Sequence, residues 1–390
     1  MSQELAYAIL TPYTLSKSRT GGVIARLITR TGLDWCGARM FAPSTELVNA
    51  YAGMIVSAED PQDRRIQEQL RDYILKNLSP DPKTGKRRRV MMLLLRGEDA
   101  VRKVRSVVGH ISGARRSGET IRDTFGDYIT DEDGNLRHLE PAVFAAPNVI
   151  ECREKLALWT RYSDSDSGWM DNTITYSAGE TPQRTLVLIK PDNFRFPTGR
   201  PGNVIDFFSR TGLYIVAIKV HRMSTAQAME FYGPVLDTLR NRLKDMVGAR
   251  AQTAVEKEFG FALAANAVKQ LGEVLGPLYG ENRFAELVRF MSGRAPAECP
   301  ADLLNAPGSE KCLALVYEGV DAVRKIRDVL GPTDPAKAPP GSIRREFGST
   351  LMINAAHASD SPENAAREIE IVKAVENNFR TVVEEVYGKL

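Results

Sequence analysis

The stretch GGVIARLITRTGLDWCGARMFAPS, Gly21 to Ser44, has a second version further along the chain, GRPGNVIDFFSRTGLYIVAIKVHRMS, Gly199 to Ser224. Each reads as an amphipathic helix that ends at a shared Arg-Thr-Gly-Leu and passes into a strand. The glycine of that tetrapeptide suits a helix C-cap, where the backbone turns left-handed. YIVAIKVHRM alternates with the period of two expected of a half-buried strand. Outward from these segments the likeness continues in order. AILTPY near the N-terminus matches LVLIKPD (Leu186–Asp192), GEDAVRKVRSVVG (Gly97–Gly109) matches EGVDAVRKIRDVLG (Glu318–Gly331), and SGETIRDTFG (Ser117–Gly126) matches PGSIRREFG (Pro340–Gly348). Four blocks in the same order mark the duplication of one fold.

Each copy reads as strand, helix, strand, helices, strand, helix, loop, strand, helix. In the second copy the strands are expected at Arg184–Lys190, Leu213–Arg222, Cys312–Glu318 and Thr350–Ala356. Strands alternating with helices predict an α/β (α+β) sandwich with helices on one face, and the order fits the ferredoxin-like βαββαβ layout. The expected organisation is a first copy over 1–160, a linker over 161–183 and a second copy over 184–390. The linker region TRYSDSDSGWMDNTITYSAGETPQ, Thr160–Gln183, is rich in Ser, Asp and Thr and has no steady period. Trp169 and Tyr176 leave open a second reading, a structured loop that docks one copy on the other.

Composition narrows the class. The chain has 390 residues, 43% hydrophobic and 26% charged, as an ordinary globular protein does. A net charge of +3 is too small to call for nucleic acid or an acidic membrane surface as a partner. The run KTGKRRR, Lys83–Arg89, is short enough to be a solvated loop. No segment has the ~18 apolar residues of a membrane span, and the start MSQELAYAILTPYTL lacks the basic opening and long apolar core of a signal peptide. Four scattered cysteines without a C-x-x-C pair fit a reducing, cytoplasmic setting better than zinc or a disulfide scaffold.

The second copy contains ALVYEGVDAVRKIRDVLGPTDPAKAPPGSIRREFGSTLMINAAHASDSPENAAREI, and with TLVLIKPDNF this closely resembles nucleoside diphosphate kinase. The motif around His357, N-x-x-H-x-S-D-S followed by E-x-A-x-x-E-I, carries most of the resemblance. The family implies transfer of a γ-phosphate from a nucleoside triphosphate to a nucleoside diphosphate through phosphohistidine at His357. A neutral imidazole is a natural phosphate carrier near pH 7, and a second group must fix which ring nitrogen attacks. By the resemblance, Glu368 accepts a hydrogen bond from the far ring nitrogen, and Ser359 supports it, the general arrangement of an activated nucleophile. Lys190, Arg327 and Arg344 match the family's phosphate-binding cations, where arginine forks suit phosphate oxygens. Thr333 matches a phosphate-contacting hydroxyl, Asn354 the amide near ribose and phosphate, and Tyr232 the tyrosine near the histidine. The resemblance further implies Mg²⁺, bridging the nucleotide's phosphates rather than caged by protein, and a homo-oligomer.

The sequence departs from the family between Tyr232 and Phe284. About 234–282 is a helical insertion in a connection that is usually short. The aromatic residue that would stack on the base falls at Arg283, with Phe284 one position later; an arginine plane also stacks on a base. Leu236, Leu239, Leu243 and Val247 form an apolar stripe at helical spacing, read as core packing or as a partner surface. A second insertion, GRAPAECPADLLNAPGSEK, is rich in Pro and Gly and is expected to be a surface loop.

The first copy lacks the chemistry. Phe144 occupies the place of His357, Thr11 that of Lys190 and Lys155 that of Glu368, while Arg105 and Arg122 remain from the phosphate-binding set. It is therefore expected to be catalytically dead, although those two arginines leave nucleotide binding open. The rival to an enzyme is a nucleotide-binding scaffold or regulatory pseudo-kinase without turnover.

Overall fold

In a computed structural model, residues 3–111, 118–132, 136–171 and 173–389 are described. Ser117 and Asn172, which fall in the segments quoted above, lie outside them, as do residues 1, 2 and 390. The chain forms two compact units. One comprises Met1–Val220 with Leu313–Leu390, and the other His221–Cys312.

The first unit contains the first copy and the sheet-forming parts of the second. Its strands are β1 (Glu4–Leu10), β2 (Asp34–Phe41), β3 (Val90–Gly97), β4 (Asp127–Thr130), β5 (Leu136–Glu140), β6 (Val143–Phe144), β7 (Pro182–Ile189), β8 (Tyr214–His221), β9 (Cys312–Val320) and β10 (Ala356–Ala358). One sheet runs β2-β3-β1-β6 and the other β8-β9-β7-β10, so both copies order their strands second, third, first, fourth. This is the ferredoxin-like order, and the pairs β1–β3, β1–β6, β2–β3, β7–β9 and β7–β10 are antiparallel. The first copy adds a β4–β5 hairpin.

Unusual backbone angles repeat too. Gly32 (φ +63°) and Gly212 (φ +68°) are the left-handed caps that the shared Arg-Thr-Gly-Leu calls for. Asp99 and Asp321 (φ +53° and +56°) open equivalent helices, and Ala142 and Ala355 (φ +60° and +69°) precede equivalent edge strands. The fourth strand of the second copy is displaced from its expected place. Thr350–Ala356 is loop up to Ala355, and the strand is Ala356–Ala358. The reason lies in the backbone: Ser349 and Thr350 give their N–H groups to Ile353 O, and Ala355 is left-handed, so no extended partner is available until Ala356.

The central strands are buried on both faces rather than one, since Leu5–Leu10 of β1 and Cys312–Gly319 of β9 are buried without alternation and helices pack against β1 and β7. Val23, Ile24, Leu27, Val101, Val104 and Val108 lie under the first copy's helices, and Val204, Ile205, Phe208, Ile326 and Leu330 under the second's. The two copies meet where the Thr20–Thr31 helix crosses the Arg200–Phe208 helix. A Cβ on Gly202 would lie 2.4 Å from both Gly21 O and Ala25 N, so the helices touch backbone to backbone. Gly is needed there for space, not for its dihedral freedom.

The described residues of the linker region are docked. Trp169 stacks under the Arg184 guanidinium at 4.3 Å, and Tyr176 Oη donates to Glu318 Oε1 at 3.0 Å. Much of the basic run serves this docking. Lys86 Nζ donates to Ile174 O (2.8 Å) and Thr175 Oγ1 (2.9 Å), Arg87 pairs with Asp166 (3.2 Å), and Arg89 donates to Ile215 O (2.7 Å).

The second unit is helical: Thr225–Arg242, Lys244–Phe259 and Ala265–Ser292. Of the expected stripe, Leu236, Leu239 and Leu243 are half-buried and Val247 is buried. The closest approaches instead run along Gly272, Gly276 and Gly280, where a Cβ would come within 2.6–2.8 Å of Lys244 or the Leu239–Arg240 backbone.

Candidate active site

The site is built where β7 ends beside β10. His357 sits opposite Leu188 in that register, between buried Ala356 and Ala358. Strand alternation turns its ring to the opposite side from theirs, and the side chain is 24% exposed. The next helix, Pro362–Ile371, starts where Ser361 caps the N–H of Asn364. This brings Glu368, buried in its last turns, against the ring. His357 Nε2 lies 2.8 Å from Glu368 Oε2, and Ser359 Oγ donates to the same oxygen at 2.6 Å. A carboxylate accepts, so Nε2 carries the hydrogen and the lone pair is left on Nδ1.

The cations are set by neighbouring backbone. Lys190 directly follows β7, and its N–H donates to Ala355 O at 2.9 Å, two residues before His357. Its ammonium is buried and donates to Met352 O (2.5 Å) and Asn354 Oδ1 (2.9 Å). Burial pulls the Lys190 pKa down to about 8; Asp192 opposes that shift and Arg344 adds to it. Asn354 in turn donates to Thr333 O and Leu351 O, both at 3.0 Å, and ties together the two loops that flank the site. Arg344 lies on the short Ile343–Phe347 helix and donates to Gly331 O (3.0 Å) and Ala356 O (3.1 Å), the second being the carbonyl just before His357. Arg327 is exposed in the last turn of the Ala322–Leu330 helix. Asp360 is held below its usual carboxylate range first by the Asn364 amide, and also by Arg327 and His357, so those groups share one rim. Thr333 is exposed with its hydroxyl on the same loop.

The remaining expected residues belong to the helical unit. Tyr232 is buried there, with its ring 4.9 Å from that of Phe231. Arg283 is ion-paired with Glu286 one turn along its helix, and Phe284 is only 7% exposed. Sequence reasoning missed three residues beside Lys190. The Asp192 side chain is 2% exposed, its carboxyl raised above the usual range by burial while Lys190 and Arg200 oppose. Asn193 Nδ2 donates to Lys190 O (3.0 Å) and Ala355 O (2.8 Å), and Arg200 Nε donates to Asn193 Oδ1 at 2.9 Å. For Asp192 and Asn193 the available signal was their adjacency in Lys190-Pro-Asp-Asn; Arg200 offered none.

The first copy has the same bones without the chemistry. Phe144 faces Ile9 as His357 faces Leu188. Thr11 N donates to Ala142 O as Lys190 N does to Ala355 O. Arg122 donates to Gly109 O (2.9 Å) and Val143 O (3.2 Å), the counterparts of the carbonyls that hold Arg344. Lys155 pairs with Glu151 at 2.6 Å, and Phe144 packs near Tyr51 and Tyr73. Arg105, exposed in its counterpart Arg327, is instead buried against Asp60 at 2.8 Å. The two arginines kept from the phosphate set are therefore engaged by the chain itself.

Known proteins resemble the second half of the chain. The model of a family described as nucleoside diphosphate kinase matches residues 183–298 and 301–376. A nucleoside diphosphate kinase of Staphylothermus marinus is 31% identical over 49% of this chain and 92% of its own length. One from Aquifex aeolicus is 32% identical over 48% of this chain and 91% of its own length. A crystal structure of the Aquifex aeolicus nucleoside diphosphate kinase aligns with 50% of this chain and 100% of its own, at 29% identity and a TM-score of 0.32.

Proposed function

Because the chain belongs to the nucleoside diphosphate kinase family, we propose that its second copy, 184–390, moves the γ-phosphate of a nucleoside triphosphate to a nucleoside diphosphate in two steps on His357. The carrying observation is the bond from His357 Nε2 to a Glu368 oxygen that Ser359 also holds. It leaves Nδ1 as the nucleophile. In the first step Nδ1 attacks the γ-phosphorus, and the bond to the β–γ bridging oxygen breaks, so the nucleoside diphosphate leaves with the electron pair. The positive charge that develops on the ring faces the Glu368 carboxylate. In the second step a terminal β-phosphate oxygen of the acceptor attacks the phosphorus and the P–N bond breaks, returning the neutral ring.

Such a transfer depends on positioning and on neutralising phosphate oxygens. Lys190, Arg327 and Arg344 supply positive charge, the Thr333 hydroxyl donates to a phosphate, and Asn354 aligns Lys190. The site's donors are cations, amides and hydroxyls, and its buried carboxylate Glu368 is already spent on His357 and Ser359. This donor set fits Mg²⁺ carried on the nucleotide's own phosphate oxygens, where it offsets their charge. In this reading Tyr232 serves the phosphohistidine chemistry and Arg283 and Phe284 serve nucleotide binding, residues 1–160 form a copy without turnover joined through 161–183, about 234–282 is an insertion, and the chain assembles as a homo-oligomer.

The test is a chase. Incubation with γ-labelled nucleoside triphosphate and Mg²⁺ should give one acid-labile, alkali-stable label per chain, released as product when unlabelled nucleoside diphosphate is added. Tight nucleotide binding without label would replace the enzyme with a nucleotide-binding scaffold.

Lys190 gives the expected pH dependence. In the free protein its ammonium loses its proton near pH 8, and a neutral amine cannot offset phosphate charge. The value of kcat/KM, which reports the free enzyme, should therefore fall as pH rises through about 8. Bound phosphate favours the charged form, so the limb in kcat should lie at higher pH. Lys190→Met should remove the kcat/KM limb; a limb unchanged in that variant assigns it to another group.

A further inference from the structure

The helix that carries Glu368 ends in a strained turn. Its C-cap is Val372, and Lys373 follows with φ +48°. Lys373 N–H donates to Glu370 O (3.0 Å) and Ala374 N–H to Ile369 O (3.1 Å), the two bonds of a Schellman stop. Glycine usually fills the left-handed position of that motif, because a Cβ crowds the following carbonyl there. The turn is also one hydrogen bond from the catalytic pair, since Val372 N–H donates to the carbonyl of Glu368 itself at 3.1 Å.

Two buried cations hold this turn, one from each copy. Lys219 on β8 donates to Val372 O (3.2 Å), Lys373 O (3.1 Å) and the Glu376 carboxylate (2.7 Å). Arg39 on β2 donates through Nη1 to Val375 O (3.1 Å) and Glu376 O (2.8 Å), while its Nε donates to Ser167 Oγ in the linker. Arg39 follows Gly32, and Lys219 follows Gly212, by the same seven residues, so they occupy equivalent positions of the repeat. They are 6% and 3% exposed. Positive charge beside the last carbonyls of a helix is favourable, and more so when solvent does not screen it.

The chain beyond the turn is anchored mostly on the linker and the first copy. Asn377 Nδ2 donates to Ser163 Oγ at 2.8 Å, Arg380 pairs with Asp164 at 2.8 Å, and Tyr387 Oη donates to Leu5 O at 2.9 Å. The backbone that leaves Glu368 is therefore gripped at its first turn by Lys219 and Arg39, and farther on by the linker and the first copy, with Asn378 Nδ2 also donating to Val220 O of β8 at 2.9 Å.

We infer that Arg39 is a positioning residue for the phosphohistidine site: by gripping the turn after the Glu368 helix together with Lys219, it keeps Glu368 in hydrogen-bond register with His357 Nε2 and Ser359. This rests on the function proposed above and gives the dead copy a working part in the live one. Without the Arg39 fork, the carbonyl of Val375 loses the Arg39 donor, that of Glu376 keeps the Asn378 N–H (3.0 Å) but loses the cation, and the strained turn at Lys373 is free to relax. The Glu368 helix then shifts, and the ring is no longer held in the form with hydrogen on Nε2 and its lone pair on Nδ1.

The test compares the full chain with Arg39→Met and Arg39→Lys, each checked for folding by circular dichroism. In single-turnover labelling, Arg39→Met should form phosphohistidine about tenfold more slowly, the scale of a small misplacement of reacting groups, while nucleotide KM changes by less than about twofold. The ¹⁵N shifts of His357 should move from a pure Nε2–H ring to a mixture of tautomers. Arg39→Lys, which keeps a buried donor, should recover most of both. Wild-type rate and tautomer in Arg39→Met would overturn the inference, as would a raised KM with unchanged kcat. If Arg39→Met does not fold, Arg39→Gln carries the same comparison. The ring measurement needs no nucleotide, so a wild-type chain that fails to transfer phosphate defeats the proposed function and leaves this comparison standing.

Discussion

Replacing His357 with alanine should leave a folded protein that forms no phospho-enzyme and has lost turnover by at least about 10⁴-fold, the scale on which enzymes lose activity when a covalent nucleophile is removed. The loss should be that large because nothing nearby can substitute. Ser359 Oγ is fully buried and already donates to Glu368. The first copy offers no second carrier, since Phe144 stands in the equivalent register and Lys155 replaces the orienting carboxylate. The fold should be little affected, because the histidine side chain is 24% exposed and makes its principal bond outward from the strand to Glu368. Label from γ-labelled triphosphate, resolved by acid lability, is the measurement. Acid-labile label that survives the substitution, or turnover within tenfold of wild type, would remove His357 from the mechanism.

Phe379→Ala should be the most damaging change outside the site, lowering stability by about 3–5 kcal/mol, the usual cost of deleting a buried phenylalanine ring. The ring is fully buried and stands edge-on to Phe41 at 5.4 Å, and Phe41 stands edge-on to Trp159 at 5.0 Å. Phe379 comes from the tail of the second copy, whereas Phe41 and Trp159 belong to the first. The cavity would thus open in a core that both copies build. Thermal unfolding of the unit formed by Met1–Val220 and Leu313–Leu390 should remain one transition and move down by roughly 5–15 °C. Two separated transitions, one per copy, would show that the copies fold independently and that the shared core contributes little.

Much of this architecture was legible in the residues. The repeated Arg-Thr-Gly-Leu located two helix ends, and both glycines adopt the left-handed cap it calls for. The alternation after Leu213 located β8 to within a residue at each end. The spacing from His357 to Glu368 spans one short turn and two turns of helix, and that local path is enough to bring ring and carboxylate to 2.8 Å. Other features were not legible for identifiable reasons. Thr350–Ala356 has strand-like composition, but side-chain and backbone bonds within the loop consume its hydrogen-bonding groups before Ala356. KTGKRRR looks solvated by composition alone, because no local pattern reports that Ile174, Asp166 and Ile215 are its acceptors. Leu236, Leu239 and Leu243 invited a core stripe, while the closest helix approaches follow three glycines whose spacing carries no hydrophobic signal.

What the sequence by itself determined is everything that acts over a few residues: the duplicated ferredoxin-like pattern, the helix caps, the histidine with its carboxylate, and the loss of both from the first copy. Only the tertiary structure decided that Arg39 reaches Val375 across 336 positions, that Arg105 is closed against Asp60, and that Phe379 fills the other copy's core. Local spacing fixes geometry because the intervening backbone is short and regular. Contacts between distant segments depend on which surfaces lose water together, and that is settled only when the whole chain has packed.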